Sequence, residues 1–300
     1  LTDASVLTGS DATLGLITGN NQSLEINAAA ELSGGTNLAS LSVIGTTNLT
    51  ADMESNGNQS YTGKVTSIGG NRNLNGSTVS LLGGYVSTDN NLAIGGNLVI
   101  GGPVTAVKIL TVSGTSDLGG NVTTSASQTY SGNVAVSGGD RTLDGTLVTF
   151  GSAAEGGNNA LQVTGPFTTG GDVENLASLN VTEATSLGGN VASSGEQTYG
   201  AGLTLTNDAT LTANLASFTG AVDGGSKNFT VAGNAVFDTT VSNVTVFGVT
   251  GTASLDGDAK KAVADRFLDR ESDETVVVVS HDEEWNRPES ATVVTLEPVQ

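Results

Sequence analysis

The sequence is built on a 69-residue internal repeat, which restricts the chain to folds in which similar units stack on one another. QSYTGKV begins at Gln59, QTYSGNV at Gln128 and QTYGAGL at Gln197. A second marker keeps the same spacing, because NLASLSV, AVKILTV and NLASLNV begin at positions 37, 106 and 175. Two independent markers in one register indicate a true internal repeat.

The copies differ in length by one residue. Beyond Tyr199 the spacing shortens to 68, where SGGDR of the earlier copy becomes TNDA, a turn-forming segment that tolerates length changes. The copies therefore span about 37–105, 106–174 and 175–242. Partial copies precede and follow them, the last at 243–258.

The pattern within each copy is that of short strands. Leu161 and Val163 alternate with polar residues, and Gly, Asn or Asp interrupts the chain every 6 to 10 positions. Since the period divides into about three coils of 23, the sequence predicts an all-β fold, a right-handed parallel β-helix (β-solenoid) of about 11 coils over residues 1–258. At the usual strand spacing such a rod is roughly 50 to 55 Å long.

The alternation also predicts which side chains form the core. Leu161 and Val163 are expected to point inward and Gln162 outward. The equivalent pairs one copy away, expected to be buried in the same manner, are Leu92 with Ile94 and Phe229 with Val231.

The charge balance argues against several partners. Ten basic against 30 acidic residues give a net charge of −20, which repels nucleic acid and anionic lipid. No apolar run is long enough to predict a membrane-spanning helix. The opening LTDASVLTG has neither a basic nor an apolar leader region, so we expect no export signal in this segment. The absence of Cys excludes disulfide bonds and thiolate chemistry.

Several repeated features resemble functional sites but have structural explanations. Tyr61, Tyr130 and Tyr199 share one repeat position and could stack on sugars or fill a corner of the fold; we favour the corner. The GGN segments at 119–121 and 188–190 are expected to form turns, because no phosphate-loop motif containing GK[ST] is present and Lys64 lacks the upstream glycine that this motif requires. Scattered residues such as Asp140 and Asp144 could bind cations weakly.

A regular threonine array for ice binding is not expected from the repeat. Thr204 and Thr206 form a Thr-x-Thr pair, but the equivalent residues one copy earlier are Ala135 and Ser137. The sequence therefore predicts that no threonine column forms.

The C-terminal segment from Ala259 onward differs sharply from the rest, because every Gly of the chain lies at or before Gly257. Residues 259–300 are expected to be a small charged cap, with a short helix AKKAVADRFLDR and two strands, or the start of a further domain. The only histidine, His281, follows Ser280 and precedes Asp282. Consecutive strand residues face opposite sides, so these three are not expected to form a catalytic triad.

The repeat QTYSGNVAVSGGDRTLDGTLVTFGS, with LQVTG and SLNVTEATSLGGNV further along, resembles the repeats of very large exported bacterial proteins. These are the filamentous-haemagglutinin-like adhesins and autotransporter passengers, and the resemblance covers about residues 37–258. It implies a secreted or surface-displayed rod at the bacterial cell exterior, which acts as a spacer or an adhesin and is a monomeric segment of a longer chain.

From this we predict a non-catalytic structural or adhesive rod whose partner is an unknown cell-surface receptor or glycan. No catalytic, cofactor-binding or metal-binding residue is predicted. The alternative is a β-helix that binds or cleaves polysaccharide, which would require carboxylates beside cations. The solenoid region holds only five cations: Lys64, Arg72, Lys108, Arg141 and Lys227.

Overall fold

In a computed structural model the chain forms a parallel β-solenoid, and the structure describes residues 1–255. The helix and strands expected in the charged segment 259–300, and His281, lie outside the described residues. No helix occurs within 1–255. The strands are β1 (Ser5–Leu14), β2 (Ile17–Leu32), β3 (Gly35–Val43), β4 (Thr47–Leu49), β5 (Met53–Ser55), β6 (Gln59–Tyr61), β7 (Val65–Ser67), β8 (Arg72–Asn75), β9 (Thr78–Leu81), β10 (Tyr85–Ile94), β11 (Asn97–Ile100), β12 (Val104–Val112), β13 (Ser116–Leu118), β14 (Val122–Thr124), β15 (Ser127–Tyr130), β16 (Val134–Val136), β17 (Arg141–Asp144), β18 (Leu147–Phe150), β19 (Ala154–Glu155), β20 (Ala160–Val163), β21 (Phe167–Thr169), β22 (Val173–Leu176), β23 (Ser178–Val181), β24 (Thr185–Leu187), β25 (Val191–Ser193), β26 (Glu196–Tyr199), β27 (Leu203–Leu205), β28 (Ala209–Phe218), β29 (Val222–Phe237), β30 (Val241–Val249) and β31 (Ala253–Leu255).

The strands line three faces, which the chain visits in a fixed order. β6 lies on what we call face 1, β7 on face 2 and β8 on face 3, after which β9 returns to face 1 and pairs with β6. Long strands such as β10 bend across two faces, since it pairs with β7 on one and with β8 on the other. Every one of these pairings is parallel, so each coil stacks in register on the one before it.

A coil is shorter than the sequence suggested. On face 1, Gln59 pairs with Val79, Val79 with Leu98 and Leu98 with Ser116, so the chain advances by 20, 19 and 18 positions per coil instead of 23. Each face needs only an inward–outward–inward triplet and a short corner. The expectation of 11 coils was therefore too low.

Within the described residues, the stack on face 1 contains 14 strand levels, from Ser5 to Val249. At a strand spacing of about 4.8 Å, the first and last levels are roughly 62 Å apart. The rod is therefore longer than the one expected from 23-residue coils.

The 69-residue repeat is not a whole number of coils. From Gln59 to Gln128 the chain passes eleven strand positions, which is three and two-thirds coils, and the same holds from Gln128 to Gln197. Equivalent residues of successive copies therefore lie on different faces. Gln59 is on face 1, Gln128 on face 3 and Gln197 on face 2.

The predicted inward positions are confirmed. Leu161 and Val163 are buried, and Gln162 between them is exposed. The equivalent residues in the neighbouring copies, Leu92, Ile94, Phe229 and Val231, are also buried. The core is thus a set of stacked aliphatic columns, to which face 2 adds the stacked rings of Tyr199, Phe218 and Phe237.

The corners use the left-handed backbone conformation at repeated positions. Asn37, Asn175 and Asn243 have φ angles of 53 to 55°, and the equivalent residue of the second copy, Ala106, has φ of 53°. Asn tolerates this region better than other residues with a Cβ, so Ala106 is the strained member of the set. Asn and Gly supply most of the positive-φ positions of the described residues, and the others are Asp89, Ala106 and Ser226.

Deleting residues 106–174 removes eleven strand positions, and should leave a folded rod that melts within a few degrees of the parent. After the deletion Asn175 takes the place of Ala106, and Leu179 stacks on Leu92 as Leu110 did, so each new pairing has a native equivalent. Small-angle scattering should report a rod shorter by about 18 Å, because three and two-thirds levels are lost.

Deleting 106–151, which is two coils of the length expected from the sequence, is the matched control. It removes seven strand positions and puts Gly156, which follows the face 1 strand β19, in the place of Leu110 above Leu92 on face 3. We expect this variant to melt well below the 106–174 deletion. Equal melting temperatures, or the opposite order, would contradict the coil length described above.

Val163→Asp should destabilise the rod by several kcal/mol, because it places an unpaired carboxylate in a dry core. Gln162→Asp, on the outward side of the same strand, should be nearly neutral. Thermal melting of both variants tests the alternation. Greater damage from Gln162→Asp would mean that the inward and outward sides are assigned incorrectly.

Candidate functional site

The repeated Gln-x-Tyr segment forms a buried polar unit at a corner of the coil. The amide nitrogen Nε2 of Gln128 donates to the carbonyl oxygens of Val122 (3.2 Å) and Asp144 (2.7 Å), which belong to neighbouring levels of face 2. Its Oε1 accepts a hydrogen bond of 3.0 Å from the hydroxyl of Tyr130. One side chain thus joins two coils and is itself held by the tyrosine.

The other two copies have the same geometry. Gln59 bridges the carbonyl oxygens of Met53 and Asn75, and Gln197 bridges those of Val191 and Thr212. In each copy the tyrosine two residues later donates to the glutamine at 3.0 Å. The unit therefore fits all three corners of the solenoid.

The tyrosines cannot stack on sugars, because Tyr61, Tyr130 and Tyr199 are completely buried. Burial raises the pKa of each phenol far above the usual value for tyrosine, so each remains protonated and donates to its glutamine. The interpretation of these residues as corner-filling groups is supported. The three are separated by three and two-thirds coils, instead of the three expected.

A second repeated unit is an arginine that closes a glycine turn. Arg141 donates to the carbonyl oxygens of Ser137 (2.6 Å) and Asp140 (2.8 Å) within the turn, and to Leu118 (3.1 Å) on the preceding coil. Gly138 and Gly139 have positive φ angles, which this turn requires.

Arg72 repeats the arrangement one copy earlier, with hydrogen bonds to Leu49, Asn71 and Ile68. The third copy has neither the two glycines nor the arginine at this point, because TNDA from Thr206 replaces SGGDR. There the hydroxyl of Thr206 and the amide of Asn207 bond instead to carbonyl groups of the preceding coil. These arginines are therefore structural, and their guanidinium groups are directed at backbone oxygen atoms.

Asn and Asp side chains at corners cap the next coil. Asn121 Oδ1 accepts from the backbone N–H of Thr142, and Asn190 Oδ1 from that of Thr210, at 3.0 and 2.8 Å. These are the asparagines of the two GGN segments, which are turns as expected. Asp140 caps Ala160 in the same way, at 2.8 Å.

The expected weak cation sites are not supported by the geometry. One carboxylate oxygen of Asp140 is used in the cap, and Asp144 accepts a hydrogen bond from Thr164 at 2.7 Å. Among residues 1–255 no group of three or more His, Cys, Asp or Glu side chains is arranged to hold a metal ion.

The described surface has shallow clefts. One, on face 1, has a volume of about 350 Å³ and is lined by Asp117, Ala135 and Glu155 together with amide, hydroxyl and aliphatic residues. These three occupy one outward column, and the small Ala135 leaves the gap between the two carboxylates. Another, of about 390 Å³, lies beside the exposed Leu16 near Gly34 and Ala51.

A column of hydroxyl groups is present on face 3, which contradicts the expectation that no threonine column forms. That expectation compared Thr204 with Ala135, one copy apart, but these residues lie on different faces. The residues that pair on adjacent coils of face 3 are Thr111, Thr129, Thr149, Thr168, Ser186 and Thr204.

Comparison with known proteins adds no family to this description: no protein-family profile, no curated protein and no solved structure matches the chain. Within residues 1–255, no helix is long and apolar enough to cross a membrane.

Double-mutant analysis of the glutamine unit should show strong coupling. Tyr130→Phe leaves the buried Oε1 of Gln128 without a donor, which should cost about 1 to 3 kcal/mol of stability. Gln128→Leu removes the hydrogen bonds to the carbonyl oxygens of Val122 and Asp144 and leaves the Tyr130 hydroxyl without its acceptor, and should cost at least as much. The double variant should lose clearly less than the sum. Additive losses in thermal or urea unfolding would show that the two side chains act independently.

Proposed function

We propose that this chain is an extracellular structural and adhesive rod segment of a bacterial surface or secreted protein, with no catalytic role. The observation that carries the proposal is the unbroken stack of 14 levels on face 1, which gives a stiff rod instead of a closed globule. A rod of roughly 62 Å separates whatever lies at its two ends. The resemblance of its repeats to exported bacterial adhesins supports the same role.

The charge distribution agrees with such a rod. The net charge of −20 for the whole chain opposes binding to nucleic acid and anionic membranes, and favours neutral or cationic partners. The repeated polar units, such as the Gln128 and Arg141 units, are directed inward or at backbone oxygen atoms. The surface thus remains available for a receptor or a glycan.

Treatment of intact producing cells with a protease tests this location. The rod, detected with an antibody, should be degraded or released while a cytoplasmic marker survives. Adhesion of these cells to their target surface should fall when the gene is deleted. Protection of the rod until the cells are lysed would refute the extracellular role.

A second candidate function is the binding of a polysaccharide in the face 1 cleft. Asp117 and Glu155 flank the gap left by Ala135, and carboxylate and amide groups are suitable partners for sugar hydroxyls. The side chains lining this cleft include no Lys or Arg, which favours binding over cleavage.

Incubation with pectin, alginate and glycosaminoglycans distinguishes the candidates. Retention of the protein on a polysaccharide, lost in Glu155→Gln but kept in Gln162→Asp, would support the cleft as a binding site. Release of new sugar ends would instead favour an enzyme. With neither result, the rod remains the function best supported.

A further inference from the structure

The hydroxyl column on face 3 is continuous over six coils. We call its members, Thr111, Thr129, Thr149, Thr168, Ser186 and Thr204, the threonine column. Each lies between two inward-facing residues, so the pleat fixes its direction. At a spacing of about 4.8 Å, the column is roughly 24 Å long.

The column is specific to face 3, although the repeat places equivalent residues on the other two faces. Because each copy advances by three and two-thirds coils, one repeat position occurs once on each face. The hydroxyl at the position of Thr168 is replaced by Val99 on face 1 and by Val236 on face 2. The remaining equivalents are Ser42, Ser60, Ser80, Asp117 and Ala135 on face 1, and Asn180, Thr198, Ser217 and Ser254 on face 2.

On the side of the column that follows each member in the chain, no large side chain is present. The residue two positions after each member is Gly, Ser or Thr. These residues also stack on adjacent coils, since the backbone N–H of Gly151 donates to Tyr130 O and that of Gly170 donates to Phe150 O. None of the six members is charged, in a chain whose net charge is −20. The positions that flank the column on this side are Ser113, Ser131, Gly151, Gly170, Gly188 and Thr206.

The chemistry of the threonine column limits the kinds of partner that it can bind. A single sugar chain is usually held by stacking on aromatic rings, and the four tyrosines of the described residues are all buried. An ionic partner would require charges that the column lacks. An uncharged row of hydroxyl and methyl groups at one regular spacing matches a neutral surface that is itself periodic.

Ordered water has these properties. Threonine side chains are stiff at χ1, and here the backbone under them is fixed by pairing on both sides, so little conformational entropy is lost when they bind. Hydroxyl groups at one regular spacing can hold bridging waters at the same spacing. We propose that the threonine column binds the surface of ice crystals. This activity is independent of the adhesive role proposed above.

The purified chain at millimolar concentration should show thermal hysteresis and should inhibit ice recrystallisation. Thr129→Tyr interrupts the column with a bulky ring and should abolish most of both effects. Thr198→Tyr is the matched control, because Thr198 occupies the same Gln-x-Tyr position on face 2 and is equally half-buried. It should retain the parent activity, and circular dichroism melting should show that both variants are folded.

Three results would overturn the proposal. The parent chain could show no effect on ice at millimolar concentration. Thr129→Tyr and Thr198→Tyr could lose activity equally while folded, which would remove the role of face 3. Retention on crystalline cellulose without any effect on ice would assign the column to a polysaccharide surface instead.

Discussion

The whole structure depends on parallel pairing between successive coils. A single coil has no interior of its own: Val163 is buried only because Leu143 and Val181 lie directly below and above it in the same column. Backbone hydrogen bonds between coils hold these columns in register, and the columns in turn exclude water from the backbone. Stability is therefore shared between neighbours, and a change in one coil acts mainly on the two beside it.

This dependence explains why polar residues are placed inside at the corners. A chain that turns three times within each short coil leaves carbonyl groups where strands end, and unpaired buried carbonyl groups are costly. Gln128 satisfies two of them from inside, while Arg141 satisfies three at a glycine turn. These polar groups are therefore part of what holds adjacent coils together, and they use little of the outer surface.

The mismatch between repeat and coil has consequences for the surface. If a repeat were three whole coils, every copy would present the same residues on the same face. Because it is three and two-thirds coils, each repeat position appears on all three faces in turn, so the inward residues must suit every corner. Outward residues are free of that requirement, and face 3 carries Thr168 where the other faces carry Val99 and Val236. One surface can thus become specialised without disturbing the core.

The sequence by itself determined the parallel stacking class, the copy boundaries and the inward residues, because strand alternation and the 69-residue period are local properties of the chain. Leu161, Val163 and their equivalents were assigned correctly on that basis. The spacing of Arg72 and Arg141 by one repeat can also be read from the sequence. Their hydrogen bonds to carbonyl groups cannot. Only the tertiary structure decided the coil length, and with it the column that joins Thr111 to Thr204. Which residues become neighbours across coils depends on how tightly each corner turns, and that is settled when the coils pack on one another.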